Sequence, residues 1–154
     1  MAGKPWTDEM SVLYAELELD GRVDERIDVS NEHLRALYSR AKSLLFPSLA
    51  EGFGWPIAEA QACGCPVVTT GRPPMTEVGG DAAIYIDPAG PTGTAAAIAD
   101  GLALRVALVQ AALENAQRFS IRAMVEGYLQ CYAAIAGGGA RKPNGLVAES
   151  GRGA

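Results

Sequence analysis

Two carboxylates, two glycines and two aromatic rings crowd into Ser48-Leu49-Ala50-Glu51-Gly52-Phe53-Gly54-Trp55-Pro56-Ile57-Ala58-Glu59. Upstream, Leu44-Leu45-Phe46 reads as a short buried strand. Downstream, Pro56 suits the first turn of a helix, where its missing N–H is an orphan in any case. Strand, glycine-containing loop and helix start, in that order, make a place for an anion, because the first helical amides lack partners and carry partial positive charge. Gly52 and Gly54 let a ligand approach the backbone with no Cβ in the way. Glu59 lies about a turn into the helix among Ile57, Ala58, Ala60, Ala62 and Cys63. A carboxylate there needs hydrogen-bond donors, and the diol of a sugar or ribose supplies two. The alternative is that Glu59 only complements the helix dipole, worth roughly 0.3–1 kcal/mol. Trp55 is either a wall of such a site or packing beside the helix. A dinucleotide fingerprint is not supported. Ile57 stands in place of the third glycine, and the next strand ends in Thr69-Thr70 rather than an acidic residue.

The rest of the chain supplies elements to hold this loop. Residues 7–19 read as a helix with Met10, Leu13, Tyr14 and Leu17 on one face and Gly21 beyond its end. Residues 26–29 are a short strand, and Ser30 caps a helix with Leu34, Leu37, Tyr38 and Ala41 on its apolar face. Gly64 ends the helix that Pro56 begins; Pro66-Val67-Val68-Thr69 and residues 83–86 are further strands. Residues 92–119 are helical with interruptions, a break or bend being expected at Gly101, and Ser120 caps a last helix over 121–136 bearing Met124, Tyr128, Leu129 and Tyr132. Gly137-Gly138-Gly139 stops it, and the polar, glycine-rich remainder to residue 154 is expected to be a disordered tail. Helix and strand alternate, which implies α/β architecture with a parallel sheet flanked by helices.

Composition narrows the function classes. With 49% hydrophobic and 20% charged residues the chain is globular. Its net charge of −5 argues against a nucleic-acid partner, because neutralising phosphates needs a basic protein surface. No signal peptide opens the sequence and no apolar run suffices for a transmembrane segment, so a cytoplasmic protein is expected. Cys63, Cys65 and Cys131 cannot all pair, and His33, on a polar helix face, is expected to be solvated. No metal site follows from such ligands; reduced, structural thiols do.

The loop and helix resemble the Glu-x7-Glu signature of family-4-type (group 1) retaining GT-B glycosyltransferases, with Glu51 and Glu59 as the pair. The likeness continues through Glu59-Ala60-Gln61-Ala62-Cys63-Gly64-Cys65-Pro66-Val67-Val68-Thr69-Thr70. It resumes in Arg72-Pro73-Pro74-Met75-Thr76-Glu77-Val78-Gly79-Gly80-Asp81-Ala82-Ala83 and Asp87-Pro88. Gly71 stands where such proteins commonly carry Asn. The resemblance implies transfer of a glycosyl group from a nucleotide-diphosphate sugar to an acceptor, with the donor as substrate and no cofactor or metal. It implies that Glu59 binds the donor ribose and that backbone around Gly52, Phe53, Gly54, Trp55 and Pro56 meets sugar and diphosphate. Glu51 is then the catalytic-site carboxylate that contacts the transferred sugar, positioning it and stabilising charge. Thr69 and Thr70 are lesser candidates for ligand contact, and Glu77 is expected to cap a short turn.

The same resemblance makes residues 1–136 the latter part of a donor-binding, Rossmann-like domain whose first two strands are missing. Ala2-Gly3-Lys4-Pro5 matches the turn after the second of them, and the family's Arg and Lys phosphate ligands lie upstream of it. With strand order 3-2-1-4-5-6, the strands at 26–29 and 44–46 should stand apart. A missing N-terminal half chain or a homo-oligomer is the expected partner. The competing reading is a non-catalytic, truncated or interaction module that keeps the donor motif.

Overall fold

The computed structural model describes residues 2–136. One compact unit runs to Ala116 and a second begins at Gln117. In the first, the order is β1 (Ala2–Gly3), α1 (Asp8–Glu16), β2 (Arg26–Ile27), α2 (Asn31–Arg40), β3 (Leu44–Phe46), α3 (Trp55–Ala62) and β4 (Val67–Thr70). There follow α4 (Met75–Gly79), β5 (Ala83–Ile86), α5 (Pro91–Ala103) and α6 (Arg105–Ala116). All strand pairs are parallel, as alternating helices and strands require. The α/β class with helices flanking parallel strands is therefore the observed one.

The strands form two separate sheets, β1-β2 and β3-β4-β5. The expected separation of residues 26–29 from 44–46 is present. Ala2-Gly3, expected as a turn, is instead a strand in register with Arg26-Ile27. Strand β2 is shorter than expected because Asp28 turns left-handed at φ 52° and takes the chain out of the extended region.

β4 is buried along its whole length between two neighbours, so its sequence is the apolar Val67-Val68 followed by threonines that must find acceptors. β3 lies at the sheet edge and is only partly buried: Leu45 is 56% exposed, which corrects the expectation of a buried strand. α3 closes one face of this sheet with Ile57, Ala58, Ala60 and Gln61 buried. Its alanines favour the helix, Pro56 sits in its first turn, and Gly64 at φ 68° turns the chain back towards β4. Helix α6 packs on α3. Thr7 and Ser30 cap α1 and α2 through hydrogen bonds from the amides of Met10 and His33.

The break or bend expected at Gly101 falls instead at Leu104. α5 runs through Gly101 to Ala103, and the chain then turns by 85° into α6. The glycine serves packing instead: a Cβ there would lie 2.3 Å from Ile84 Cδ1 and 2.7 Å from its Cγ1. Alanine in a helix is ordinarily favoured over glycine by about 0.8–1.0 kcal/mol. Overpacking a filled core costs about 1–3 kcal/mol, so here the clash wins. Gly101→Ala is expected to lower the urea midpoint, and the same change in an Ile84→Ala background to raise it.

The second unit holds a 3-10 turn (Gln117–Phe119) and α7 (Ile121–Ala136). Ser120 caps α7 as expected, its Oγ accepting from the Ala123 amide at 3.2 Å. Met124, Tyr128, Leu129 and Tyr132 are exposed, and the two tyrosine rings stack 6.5 Å apart. The tail expected from Gly137 onward lies outside the described residues. Among the described residues no single helix is long and apolar enough to cross a membrane.

Candidate functional site

Parallel pairing puts the carboxyl ends of β3, β4 and β5 on one edge of their sheet, and the loop 47–54 leaves from that edge. Beyond Phe46 the β3 backbone no longer pairs, yet the loop is fastened to β4 by two threonines. Thr69 Oγ1 donates to the Phe46 carbonyl at 2.8 Å, and Thr70 Oγ1 to the Ser48 carbonyl at 2.7 Å. Both threonines are buried, so these bonds satisfy hydroxyls that would otherwise be stranded. Their protons brace the loop, which the expectation of ligand contact did not foresee.

The braced Ser48 in turn holds the first carboxylate. Its Oγ lies 2.8 Å from Glu51 Oε1 and 3.2 Å from the Ala50 carbonyl; its single proton goes to the shorter, charge-assisted contact. Glu51 and Gly52 are exposed, and a Cβ on Gly52 would meet nothing within 4 Å. Open space therefore borders the loop at this point.

Gly54 begins α3 in the left-handed region, φ 98° and ψ 42°. A side chain there would be strained by the backbone alone and would also touch Ile57 Cδ1 at 3.4 Å. No side chain caps the helix; the Ile57 amide bonds the Gly54 carbonyl, and Pro56 contributes no N–H. Trp55 is 61% exposed, its ring leaning on Phe53 with centroids 4.6 Å apart. The Phe53–Trp55 pair thus forms an aromatic surface at the helix start, and Trp55 is not core packing.

Glu59 is exposed, although Ile57, Ala58 and Ala60 beside it are buried. Tyr38 of α2, a buried residue, lies near enough to Glu59 to feel its charge. Tyr38 was legible in the sequence only as one residue of an apolar face; the available signal was a tyrosine where phenylalanine would have packed equally well. Burial of Tyr38, the Glu59 charge and the nearby Cys63 and Cys65 push its hydroxyl up to about 12, so it stays a proton donor at neutral pH.

Behind the site lies a buried amide network that sequence reasoning missed. Gln61, fully buried in α3, donates to the carbonyls of Gly79 at 3.0 Å and Ala82 at 3.3 Å. Asn115 of α6 donates to Gln61 Oε1 at 2.7 Å and the Val78 carbonyl at 2.8 Å. Glu77, expected to cap a short turn, stands in the first turn of α4. His33 is exposed as expected, and the three cysteines are free. Among the described residues no group of three or more His, Cys, Asp or Glu could hold a metal ion.

Comparison with known proteins gives a consistent result. The family described as "Glycosyl transferases group 1" matches residues 1–120. The chain is 47% identical over 60 residues to the O-antigen chain mannosyltransferase B of Escherichia coli, covering 39% of this chain and 16% of that protein. It is 40% identical over 76 residues to the O-antigen chain mannosyltransferase RfbU of Salmonella typhimurium, covering 49% of this chain and 22% of the relative. Similarity to a D-inositol 3-phosphate glycosyltransferase of Mycolicibacterium vanbaalenii extends over 149 residues at 36% identity, 94% of this chain and 33% of the relative. The chain therefore spans a third or less of the length of these relatives.

Proposed function

The chain belongs to the glycosyl transferases of group 1, and on that premise we propose that its residues 48–59 bind a nucleotide-diphosphate sugar donor. The observation that carries the reading is the start of α3. An uncapped helix begins at a left-handed glycine, with Glu51 tethered by Ser48 before it and Glu59 exposed about a turn into the helix. Within the reading, backbone at Phe53, Gly54 and Trp55 meets sugar hydroxyls and diphosphate, favoured by the helix dipole. Gly52 and Gly54 leave room for that approach, and Pro56 fixes the first turn. Glu59 accepts hydrogen bonds from the ribose hydroxyls, and Glu51 contacts the transferred sugar.

The finer assignment is the family-4 type, with retention of configuration and no metal. In the front-face displacement it implies, the bond from the anomeric carbon to diphosphate oxygen breaks as the acceptor oxygen bonds the same face. The acceptor proton passes to the departing diphosphate. Glu51 positions the sugar and stabilises developing charge. Residues 1–136 are then the latter part of the donor-binding domain of a cytoplasmic enzyme. Because the match covers at most a third of the relatives named, this chain is assigned donor binding. The acceptor site and the remaining phosphate ligands are assigned to segments outside these residues, whether of the same polypeptide, a companion chain or a second copy.

Calorimetric titration of UDP-, GDP- and ADP-sugars, each as glucosyl and mannosyl form, tests the reading. Saturable binding of one nucleotide class supports it. No binding of any donor would leave the chain a module that keeps the motif without its function.

A further inference from the structure

We infer that Ser48 is a positioning residue for the donor sugar: its hydroxyl, anchored to the sheet through Thr70, holds the Glu51 carboxylate where it meets that sugar. The inference rests on the donor-site reading of Glu51 given above. Glu51 is exposed, and a glutamate free in solvent samples several rotamers, so ordering it on ligand binding opposes affinity. Two hydrogen bonds in series remove much of that freedom in advance. Thr70, the last residue of the central strand β4 and 1% exposed, donates through Oγ1 to the Ser48 carbonyl at 2.7 Å. Ser48 Oγ in turn donates to Glu51 Oε1 at 2.8 Å. The carboxylate is thus referred to the buried sheet by side chains and is not left to the loop alone. An ionised carboxylate offers about four acceptor sites, so one bond from Ser48 leaves capacity for sugar hydroxyls.

A serine that only shaped the loop would act differently. Its other contact, to the Ala50 carbonyl at 3.2 Å, would then be the one that matters. Loss of that turn would disturb the amides after Gly52, and with them the grip on diphosphate, for every nucleotide ligand. A serine that aims Glu51 affects only ligands that carry the sugar.

The test is affinity for UDP, GDP and ADP and for their glucosyl and mannosyl forms, measured on the full chain, Ser48→Ala, Glu51→Ala and the double variant. Ser48→Ala removes one oxygen and strands no buried group, because Glu51 stays open to water. It is expected to weaken the preferred nucleotide sugar about fivefold, the value of one ordinary hydrogen bond. The bare nucleotide should bind unchanged, which also reports an intact loop. In the Glu51→Ala background the same change should have no effect on either ligand. Three results overturn the positioning role alone: equal weakening of nucleotide and nucleotide sugar by Ser48→Ala, no weakening of either while Glu51→Ala weakens the nucleotide sugar, or a further loss in the Glu51→Ala background. No saturable binding of any donor by the unmodified chain, or a nucleotide sugar indifferent to Glu51→Ala, overturns the donor-site reading of Glu51 and this inference with it.

Discussion

Glu59→Ala is expected to weaken nucleotide-sugar binding about 100-fold, the value for two hydroxyl bonds to a carboxylate. Both bonds are charge-assisted, so their removal costs more than the loss of two neutral contacts. Glu59→Gln should fall between, near tenfold, because the amide keeps one acceptor and replaces the other with a donor. The companion change at Glu51 separates the two carboxylates. If Glu51 contacts only the sugar, Glu51→Ala leaves the affinity for free UDP or GDP intact while lowering that for the sugar-bearing donor. Titration calorimetry on both variants, with and without the sugar, resolves the pattern. Equal loss for nucleotide and nucleotide sugar at Glu51 would contradict the division of roles.

Asn115→Leu is expected to cost about 3 kcal/mol of folding stability, on the scale of 1–3 kcal/mol for each buried polar group left unpaired. The asparagine supplies donors to Gln61 Oε1 and the Val78 carbonyl, and its 2.7 and 2.8 Å contacts join α6 to α3 and α4. Leucine fills similar volume but leaves both acceptors facing hydrocarbon. Gln61 cannot relieve the loss by rotating, because its own amide nitrogen is engaged by the Gly79 and Ala82 carbonyls. A domain of this size should melt roughly 10–15 °C lower. Adding Gln61→Leu should cost less than the sum of the two single changes, since the replaced partners no longer face one another as a broken pair. Strict additivity would show that the amides are not coupled.

Much of the fold was legible because its signals are local. Thr7, Ser30 and Ser120 cap helices from the positions their side chains advertise, and Pro56 and Gly64 bound α3. The errors arose where tertiary context outranked local preference. Gly101 reads as a break or bend by propensity, yet the bend falls at Leu104 and the glycine leaves room for the Ile84 side chain. Leu44-Leu45-Phe46 reads as buried by composition, but its place at a sheet edge leaves Leu45 exposed. Ala2-Gly3 has no strand pattern of its own and becomes one through pairing with Arg26-Ile27.

The candidate site divides in the same way. Glycine and proline around the loop declared a backbone conformation that local chemistry dictates, and Gly54 adopts the left-handed turn that needs glycine. The bracing of that loop was not readable. Thr69 and Thr70 lie 23 and 22 residues from the carbonyls they bond, and Tyr38 comes near Glu59 from another helix. Such contacts are products of the register between β3 and β4 and of the packing of α2 on α3.

The most direct test is amide NMR of the isotopically labelled chain during addition of UDP-, GDP- and ADP-sugars. Saturable shifts centred on the amides of Gly52 to Ile57, with a second group at Glu59 and Tyr38, are the predicted result. Shifts confined to other parts of the chain, with the start of α3 unmoved at saturation, would contradict the placement of the donor there.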